Sequence, residues 1–390
     1  MRIIAKQKMF WVAVVVVIFG ISLFVLPYLL PTNFSLGLSE VEAPKIEVEK
    51  VPHVSTPTAV KGIYMTSCVA SMPTFRAKLV KLIDETELNS VVIDIKDYSG
   101  TISVDFNNPE YKSAYEANGC KVKDMKDFIK SLHEKNIYVI ARITSFQDPF
   151  VAKQHPEWAI KKKSDKTVVW KDRKGISFID ANNRDMWKYL ADLGTEAYKL
   201  GFDEINFDYI RFPSDGDMKD IYFPWSNSIL TTSTSTMPKA VVMKGFFEYL
   251  HSRFGGTETK ISADLFGMTT TNTDDLNIGQ LLEDAAPNFD YIAPMVYPSH
   301  YPSGFNNYKD VNAHPYDIVK FSMDKAVARL ILASTTPLKL RPWLQDNDYP
   351  VPYTPEMVRA QMKATYDAGL NSWMLWDAAN TYTRAALLAE

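Results

Sequence analysis

The feature that most constrains the fold of this chain is an alternation of strand-like and helix-like segments. From about residue 60, short β-branched apolar runs alternate with segments whose apolar residues recur at helical spacing. The run Val91–Ile95 is nearly continuous, which is typical of a strand covered on both faces. Eight strands are predicted, at residues 62–65, 91–95, 138–143, 204–212, 261–266, 291–297, 340–344 and 372–376. Helices are predicted between them, around residues 75–83, 122–132, 186–200, 242–251, 278–285, 319–332 and 355–368.

Eight such units have the size and order of a (β/α)₈ barrel. A doubly wound open sheet is the structural alternative, and it would be expected to carry a glycine-rich phosphate loop after its first strand. The segment GIYMTSCVA contains no such loop. The predicted fold class is therefore α/β, a single TIM barrel over residues 60–390, preceded by a transmembrane helix and a flexible linker. Little chain remains after the eighth strand, so the last helix is expected to be short.

The N-terminus carries an apolar run that is long enough to cross a membrane. Residues 9–30 are almost entirely apolar, and a helix rising ~1.5 Å per residue over that length matches the ~30 Å hydrocarbon core of a bilayer. Arg2, Lys6 and Lys8 precede the run, which predicts that residues 1–8 are cytoplasmic and that the large domain is extracytoplasmic. We expect a single-pass protein of the cell membrane.

A cleaved signal peptide is the alternative reading of this segment. Its apolar region is usually shorter and ends in small residues, whereas PYLLPTNF offers no such cleavage site. Residues 31–59 are rich in proline and polar residues, and they are predicted to form an extended linker.

Charge and cysteine content limit the partners. The formal net charge of −3 provides no basic field, so nucleic acid is not an expected partner. Cys68 and Cys120 fit neither a disulfide framework nor a zinc spacing, and a single bridge and two buried thiols both remain open. No segment has the ligand spacing of a calcium or zinc site, so neither a metal nor a cofactor is expected.

Polar and aromatic residues collect at the predicted carboxyl ends of the strands, where TIM barrels carry their chemistry. Ionisable groups buried there need partners, so the mixture of arginine and aspartate predicts a network that fixes protonation states. The candidate substrate-binding residues are Asp94, Lys96, Arg142, Asn206, Arg211, Tyr297, His300, Trp343, Trp373, Trp376 and Asp377.

Asp208 is the first candidate for a catalytic residue, because it interrupts the apolar run INFDYIRFP. Asn206 has the same parity and faces the same side of the strand, while Arg211 is expected to keep Asp208 ionised and to lower its pKa. An ionised, oriented carboxylate is what a glycosidase nucleophile requires, although a structural aspartate in a salt bridge would look the same. Asp264, at the end of the next strand, is the first choice for its acid partner, and Asp97 is the second.

Several segments resemble a known family. The segments are KGIY, VVIDIKD, FDYIRFP, YIAPMVYPSHY and LRPWLQD, and they are similar to a bacterial and archaeal family of TIM barrels assigned as glycoside hydrolases. That family is distantly similar to the alpha-amylase superfamily, and the resemblance covers residues 60–385.

The resemblance implies a nucleophilic aspartate ending strand four, which is Asp208, and an acid after strand five. The acid in such barrels is usually glutamate, and here Asp264 stands in its place. We therefore expect a glycoside hydrolase that cleaves a cell-envelope or extracellular polysaccharide with two carboxylates. A non-catalytic carbohydrate-binding barrel at the cell surface is the alternative.

Overall fold

Eight parallel strands close into a barrel in the computed structural model, which describes residues 51–389. The strands are β1 Lys61–Met65, β2 Ser90–Lys96, β3 Tyr138–Thr144, β4 Glu204–Asp208, β5 Lys260–Phe266, β6 Tyr291–Met295, β7 Trp343–Gln345 and β8 Trp373–Trp376. Each strand pairs with the next one along the chain, and β8 returns to pair with β1. The predicted (β/α)₈ barrel is confirmed.

Helices cover the outside of the barrel. The helix that precedes each next strand is α1 Pro73–Asp84, α2 Met125–His133, α3 Arg184–Leu200, α4 Pro238–Phe254, α5 Leu282–Ala285, α6 Pro315–Leu332 and α7 Pro355–Asp367. Further short helices lie in the connections, at Ser67–Ala70, Pro109–Glu116, Pro149–Gln154 and Asn227–Thr232. In α2 the residues Met125, Phe128, Ile129 and Leu132 are buried, because this spacing places them on one helical face. After β8 the chain forms only a single 3₁₀ turn, Arg384–Ala386, in place of the short helix expected there.

The largest differences from the predicted strand boundaries are at the end of β4 and the start of β7. β4 ends at Asp208 instead of Phe212, because Tyr209 takes a left-handed backbone conformation with φ of 51°. β7 begins at Trp343, so Arg341 precedes the strand and lies near the amino-terminal end of the barrel. There its Nη1 donates a hydrogen bond to Glu204 Oε2 at 2.7 Å, and the hydroxyl of Tyr138 donates to the same oxygen at 3.0 Å.

The side-chain alternation of the strands separates two apolar layers. In β2 the residues Val91, Ile93 and Ile95 join the large layer between barrel and helices, whereas Val92 faces the barrel interior. The interior layer consists of Val60, Tyr64, Val92, Tyr138, Ile140, Ala293, Tyr297, Trp343 and Met374. The barrel is therefore a packed core, and polar groups have room only at its two ends.

Residues 51–59 pack against the barrel, although the sequence places them in the extended linker. The backbone amide of Val54 donates to Asp203 Oδ1 at 2.8 Å, and the ring of His53 stacks on Tyr198 with centroids 4.0 Å apart. Asp203 precedes β4, so this contact lies at the amino-terminal end of the strands. The carboxylate of Asp203 fixes the segment, and the ordered domain begins before the expected boundary at residue 60.

The remaining N-terminal predictions fall on residues 1–50. The predicted cytoplasmic segment 1–8, the predicted transmembrane helix 9–30 and the predicted linker up to residue 50 therefore lie outside the described residues. Within residues 51–389, no helix combines the length and the apolar character that crossing a bilayer requires.

Cys68 and Cys120 form a disulfide bond, which decides between the two alternatives left open by the sequence. Their Cα atoms lie 4.9 Å apart. Cys68 lies in the helical turn Ser67–Ala70 that follows β1, and Cys120 lies in the loop before α2. The bond ties together two neighbouring connections of the barrel.

Candidate active site

Arg142 is the centre of a buried polar cluster at the carboxyl ends of the strands. Its Nη1 donates to Asp94 Oδ1 at 2.6 Å, its Nη2 donates to Asp208 Oδ2, and its Nε lies 3.7 Å from Asp264 Oδ2. All four side chains are at most 6% exposed. One guanidinium therefore serves three carboxylates, which come from β2, β4 and β5.

Strand register explains why these residues meet. Asp94 is level with Arg142, Arg142 is level with Asn206, and Asn206 is level with Ser262 on β5. Asp208 and Asp264 each follow by two residues and point to the same side of their strands. The sequence predicted Asp94, Arg142, Asn206, Asp208 and Asp264 at this end, and the structure brings all five together.

The charges of the cluster do not balance if every carboxyl is ionised, because three negative groups would share one cation. Burial disfavours that state. Burial, and next the charge of Asp208, raise the pKa of Asp264 to about 8. Burial also raises the pKa of Asp94, against the opposing charge of Arg142. At neutral pH Asp264 is thus largely protonated.

Asp264 is held by two donors that both reach the same oxygen. Asn206 Nδ2 donates to Oδ1 at 2.9 Å, and Trp343 Nε1 donates to Oδ1 at 2.8 Å. The second oxygen, Oδ2, faces Arg142 Nε, which has no hydrogen-bond acceptor among the described residues. This arrangement leaves Oδ2 as the oxygen that can carry the proton.

Asp208 is oriented by different donors. Arg142 donates to Oδ2, and the backbone amide of Tyr209 donates to Oδ1 at 2.5 Å. The prediction that Arg211 is the cation beside Asp208 is wrong. Because Tyr209 turns the chain away from the strand, Arg211 Nη1 instead donates to Phe212 O and Ser214 Oγ, each at 3.1 Å.

Aromatic rings form a wall over the cluster. Tyr64 and Trp376 stack with centroids 4.1 Å apart, and they lie 5.5 and 5.4 Å from the Arg142 guanidinium carbon. The Tyr64 hydroxyl donates to Asp94 Oδ2. Tyr297 lies 6.4 Å from Trp376 and 5.0 Å from His300, between ring centroids. Sequence reasoning used Tyr64 only as part of a strand, although its inward parity near the end of β1 is a signal for the site.

Two charged candidates on β2 and its loop have other partners. Lys96 is fully buried, and its Nζ lies 2.8 Å from Asp148 Oδ2, because the register shifts between Asp94 and Lys96. The predicted substrate contact of Lys96 is therefore replaced by an internal ion pair. Asp97 Oδ1 accepts hydrogen bonds from Ser99 N at 2.9 Å and Ser99 Oγ at 2.5 Å. It closes a turn outside the cluster and contacts none of its carboxylates.

Two candidates from β8 are also separated from the cluster. Trp373 belongs to the layer between barrel and helices, where its Nε1 donates to the Tyr366 hydroxyl at 2.8 Å. Asp377 accepts the backbone amides of Ala379 at 2.9 Å and Thr381 at 2.8 Å, and so it stabilises its own loop. Within residues 51–389, no group of three or more histidine, cysteine, aspartate or glutamate residues could hold a metal ion.

A closed parallel barrel with an acidic cluster at the carboxyl ends of its strands defines the class of protein: a (β/α)₈ barrel with the site geometry of an enzyme. Residues 62–382 match a protein family described as "Putative glycosyl hydrolase domain". The chain belongs to this family, which confirms the resemblance in the sequence motifs. No curated protein sequence matches the chain.

Solved structures share the fold. The PgaB (BpsB) glycoside hydrolase domain from Bordetella bronchiseptica is 11% identical with a TM-score of 0.58, covering 82% of this chain and 94% of that one. Alpha-L-fucosidase isoenzyme 2 from Paenibacillus thiaminolyticus is 9% identical with a TM-score of 0.54, covering 84% and 47%. A hypothetical protein from Ruminiclostridium thermocellum is 29% identical over 51% of this chain and 96% of its own, with a TM-score of 0.44. The first two likenesses support the barrel fold.

Proposed function

We propose that this protein is a glycoside hydrolase in which Asp208 is the nucleophile and Asp264 is the general acid and base. One observation carries the proposal. The carboxyls of Asp208 and Asp264 contact the same guanidinium, but each carboxyl has a different set of hydrogen-bond donors. Carboxyls whose surroundings separate their protonation states are the usual mark of an acid–base pair. Membership of the glycosyl hydrolase family supports the same reaction class.

The donors around each carboxyl suit these roles. Arg142 and the amide of Tyr209 stabilise negative charge on Asp208, so it can attack an anomeric carbon. The pKa of Asp264, raised by burial to about 8, keeps a proton available for the oxygen of the leaving sugar. Both carboxyls contact the same guanidinium, and we assign them the retaining mechanism, which requires a separation of ~5–5.5 Å between them.

The proposed reaction has two steps. In the first, Asp208 forms a bond to the anomeric carbon, the glycosidic C–O bond breaks, and the proton of Asp264 moves to the leaving oxygen. In the second, ionised Asp264 takes a proton from water, the water oxygen bonds to the anomeric carbon, and Asp208 is released. Arg142 contacts both groups, so its charge can stabilise whichever carboxyl is negative at each stage.

We further propose that the domain works outside the cytoplasm on a cell-envelope or extracellular polysaccharide, anchored by residues 9–30. The apolar run and the basic residues before it support this orientation. The bond between Cys68 and Cys120 supports it independently, because disulfides persist in oxidising compartments. Protease added to intact cells should degrade the domain, and full protection would contradict this location.

The test of catalysis is release of reducing ends from a panel of bacterial envelope glycans. Asp208→Asn and Asp264→Asn should each lower the rate by a factor on the order of 10² to 10⁴ or more. Asp97→Asn is the matched control and should retain the wild-type rate, since Asp97 only closes a turn. Equal release by wild type and Asp208→Asn would refute the nucleophile. Glycan binding by the wild type without any release would favour the carbohydrate-binding alternative.

A further inference from the structure

A cavity of about 440 Å³ lies among the loops at the carboxyl ends of the strands. The loops that follow β2, β3 and β4 form its walls, and Tyr209 connects it to the site. The amide of Tyr209 binds Asp208, while its ring lines the cavity. A ligand in this cavity would therefore contact Tyr209, the residue whose amide holds Asp208.

Gln147 is the residue that points to a ligand. It lines the cavity and is only 5% exposed, yet its side-chain amide forms no hydrogen bond with any residue between 51 and 389. Neither Oε1 nor Nε2 is fully enclosed by protein, so the amide opens onto the cavity, where solvent or a ligand is its partner. The amide offers two donors and one acceptor oxygen to whatever fills the cavity.

The other polar groups of the cavity are balanced in charge. Lys174 and Arg211 contribute two positive charges, and Asp172 and Asp215 contribute two negative ones. No ion pair joins any of these four to a described residue within the distance of a salt bridge. Because these charges cancel, the cavity has no net field that favours an anion or a cation, and hydroxyl groups can both accept from its cations and donate to its carboxylates.

Aromatic rings complete the cavity. Tyr98 is 60% exposed at its edge, and Tyr209 lies in its wall with its ring 5.2 Å from the Arg211 guanidinium carbon. Tyrosine rings combine an apolar face with a polar hydroxyl, which is the combination that the faces and rims of sugar rings need. The left-handed backbone of Tyr209, with φ of 51°, is a strained conformation of the kind that collects at ligand sites.

We propose that this cavity is a subsite for an uncharged, polyhydroxylated sugar ring of the bound glycan, and that the Gln147 amide binds its hydroxyls. The inference rests on the proposed function only in taking the occupant to be part of the glycan. It adds the chemical class of that occupant, which excludes uronic acids and free amino sugars from this position.

The experiment measures binding by the full chain carrying Asp208→Asn, so that turnover does not interfere. The probes are tetrasaccharides of N-acetylglucosamine and of glucose, both uncharged, of hyaluronan, which is acidic, and of glucosamine, which is cationic. We expect titration calorimetry to show binding of an uncharged probe, and Gln147→Leu to weaken it about tenfold or more. Gln154→Leu is the matched control and should leave affinity unchanged, since Gln154 is exposed and outside this cavity.

Other outcomes overturn the proposal. Tighter binding of the acidic or the cationic probe, an unchanged affinity in Gln147→Leu, or no binding of any probe would each refute it. Thermal unfolding tests whether Gln147→Leu is folded correctly. Its melting temperature should be no lower than that of Gln154→Leu. If binding depends on Gln147 but the wild type cleaves no glycan, the proposed hydrolase fails and the subsite stands. If the wild type cleaves a glycan and Gln147→Leu cleaves it equally well, the subsite fails and the proposed hydrolase stands.

Discussion

Replacing Asp264 with asparagine should make the stability of the protein less dependent on pH. Burial raises the pKa of this carboxyl from its ordinary value of 3.8 to about 8 in the folded protein. The folded state therefore binds the proton more tightly than the unfolded chain does. Stability from this proton is fully present below about pH 4 and is lost as pH rises through about 8.

The size of the effect follows from the interval between the two pKa values. Each pH unit over which the folded state holds one extra proton changes the free energy of unfolding by about 1.4 kcal/mol. Between pH 5 and 7.5 the wild type should therefore lose about 3 kcal/mol relative to the variant. The variant has no proton to lose at this position, and its Oδ1 can still accept hydrogen bonds from Asn206 and Trp343.

The assay is urea denaturation of both proteins at several pH values across this range. The informative quantity is the difference between wild type and Asp264→Asn, because titrating groups that do not interact with Asp264 cancel in it. Asp97→Asn, which removes a carboxyl outside the cluster, should follow the wild-type slope. A difference that stays constant from pH 5 to 7.5 would show that Asp264 is ionised in the folded protein, and that result would refute its role as the acid.

Three further predictions follow from other features. The value of kcat/KM for glycan hydrolysis should fall as pH rises through about 8, because Asp264 must be protonated to act as the acid; a profile still rising at pH 9 would contradict this. Lys96→Met should lower the free energy of unfolding by about 3–5 kcal/mol by leaving Asp148 buried without its cation, and the double variant with Asp148→Leu should recover stability in urea titrations. Cys68→Ser with Cys120→Ser should cost about 2–4 kcal/mol in the same assay, and an unchanged midpoint would show that the bond constrains little.

The barrel could be predicted from the sequence because the spacing of apolar residues along the chain is regular in both its strands and its helices. Nearly continuous β-branched runs such as Val91–Ile95 indicate strands covered on both faces, and helical spacing marks the segments between them. Parity along each strand then brings Asp94, Arg142, Asp208 and Asp264 to one end of the barrel, as the structure shows. These parts of the site follow from regular geometry.

The predictions for Lys96 and Arg211 were wrong because the backbone near both residues departs from regular strand geometry. The register shift after Asp94 directs Lys96 to Asp148, and the left-handed turn at Tyr209 removes Arg211 from Asp208. Neither irregularity changes the hydrophobic pattern, so periodicity carries no signal of it. Partner choice is similarly hidden, since the sequence shows Arg211 three residues from Asp208 and gives no sign that Arg142, on another strand, is its partner.

The single guanidinium of Arg142 also determines how the site responds to amino-acid substitutions. Because three carboxyls depend on one cation, replacing any two members of the cluster should have effects that do not add. The protonation of the cluster is then a property of the set, and its titration belongs to no single residue. An engineer who wants another pH optimum should therefore alter the neutral neighbours Asn206 and Trp343, which both hold Asp264 and form no hydrogen bond with Arg142.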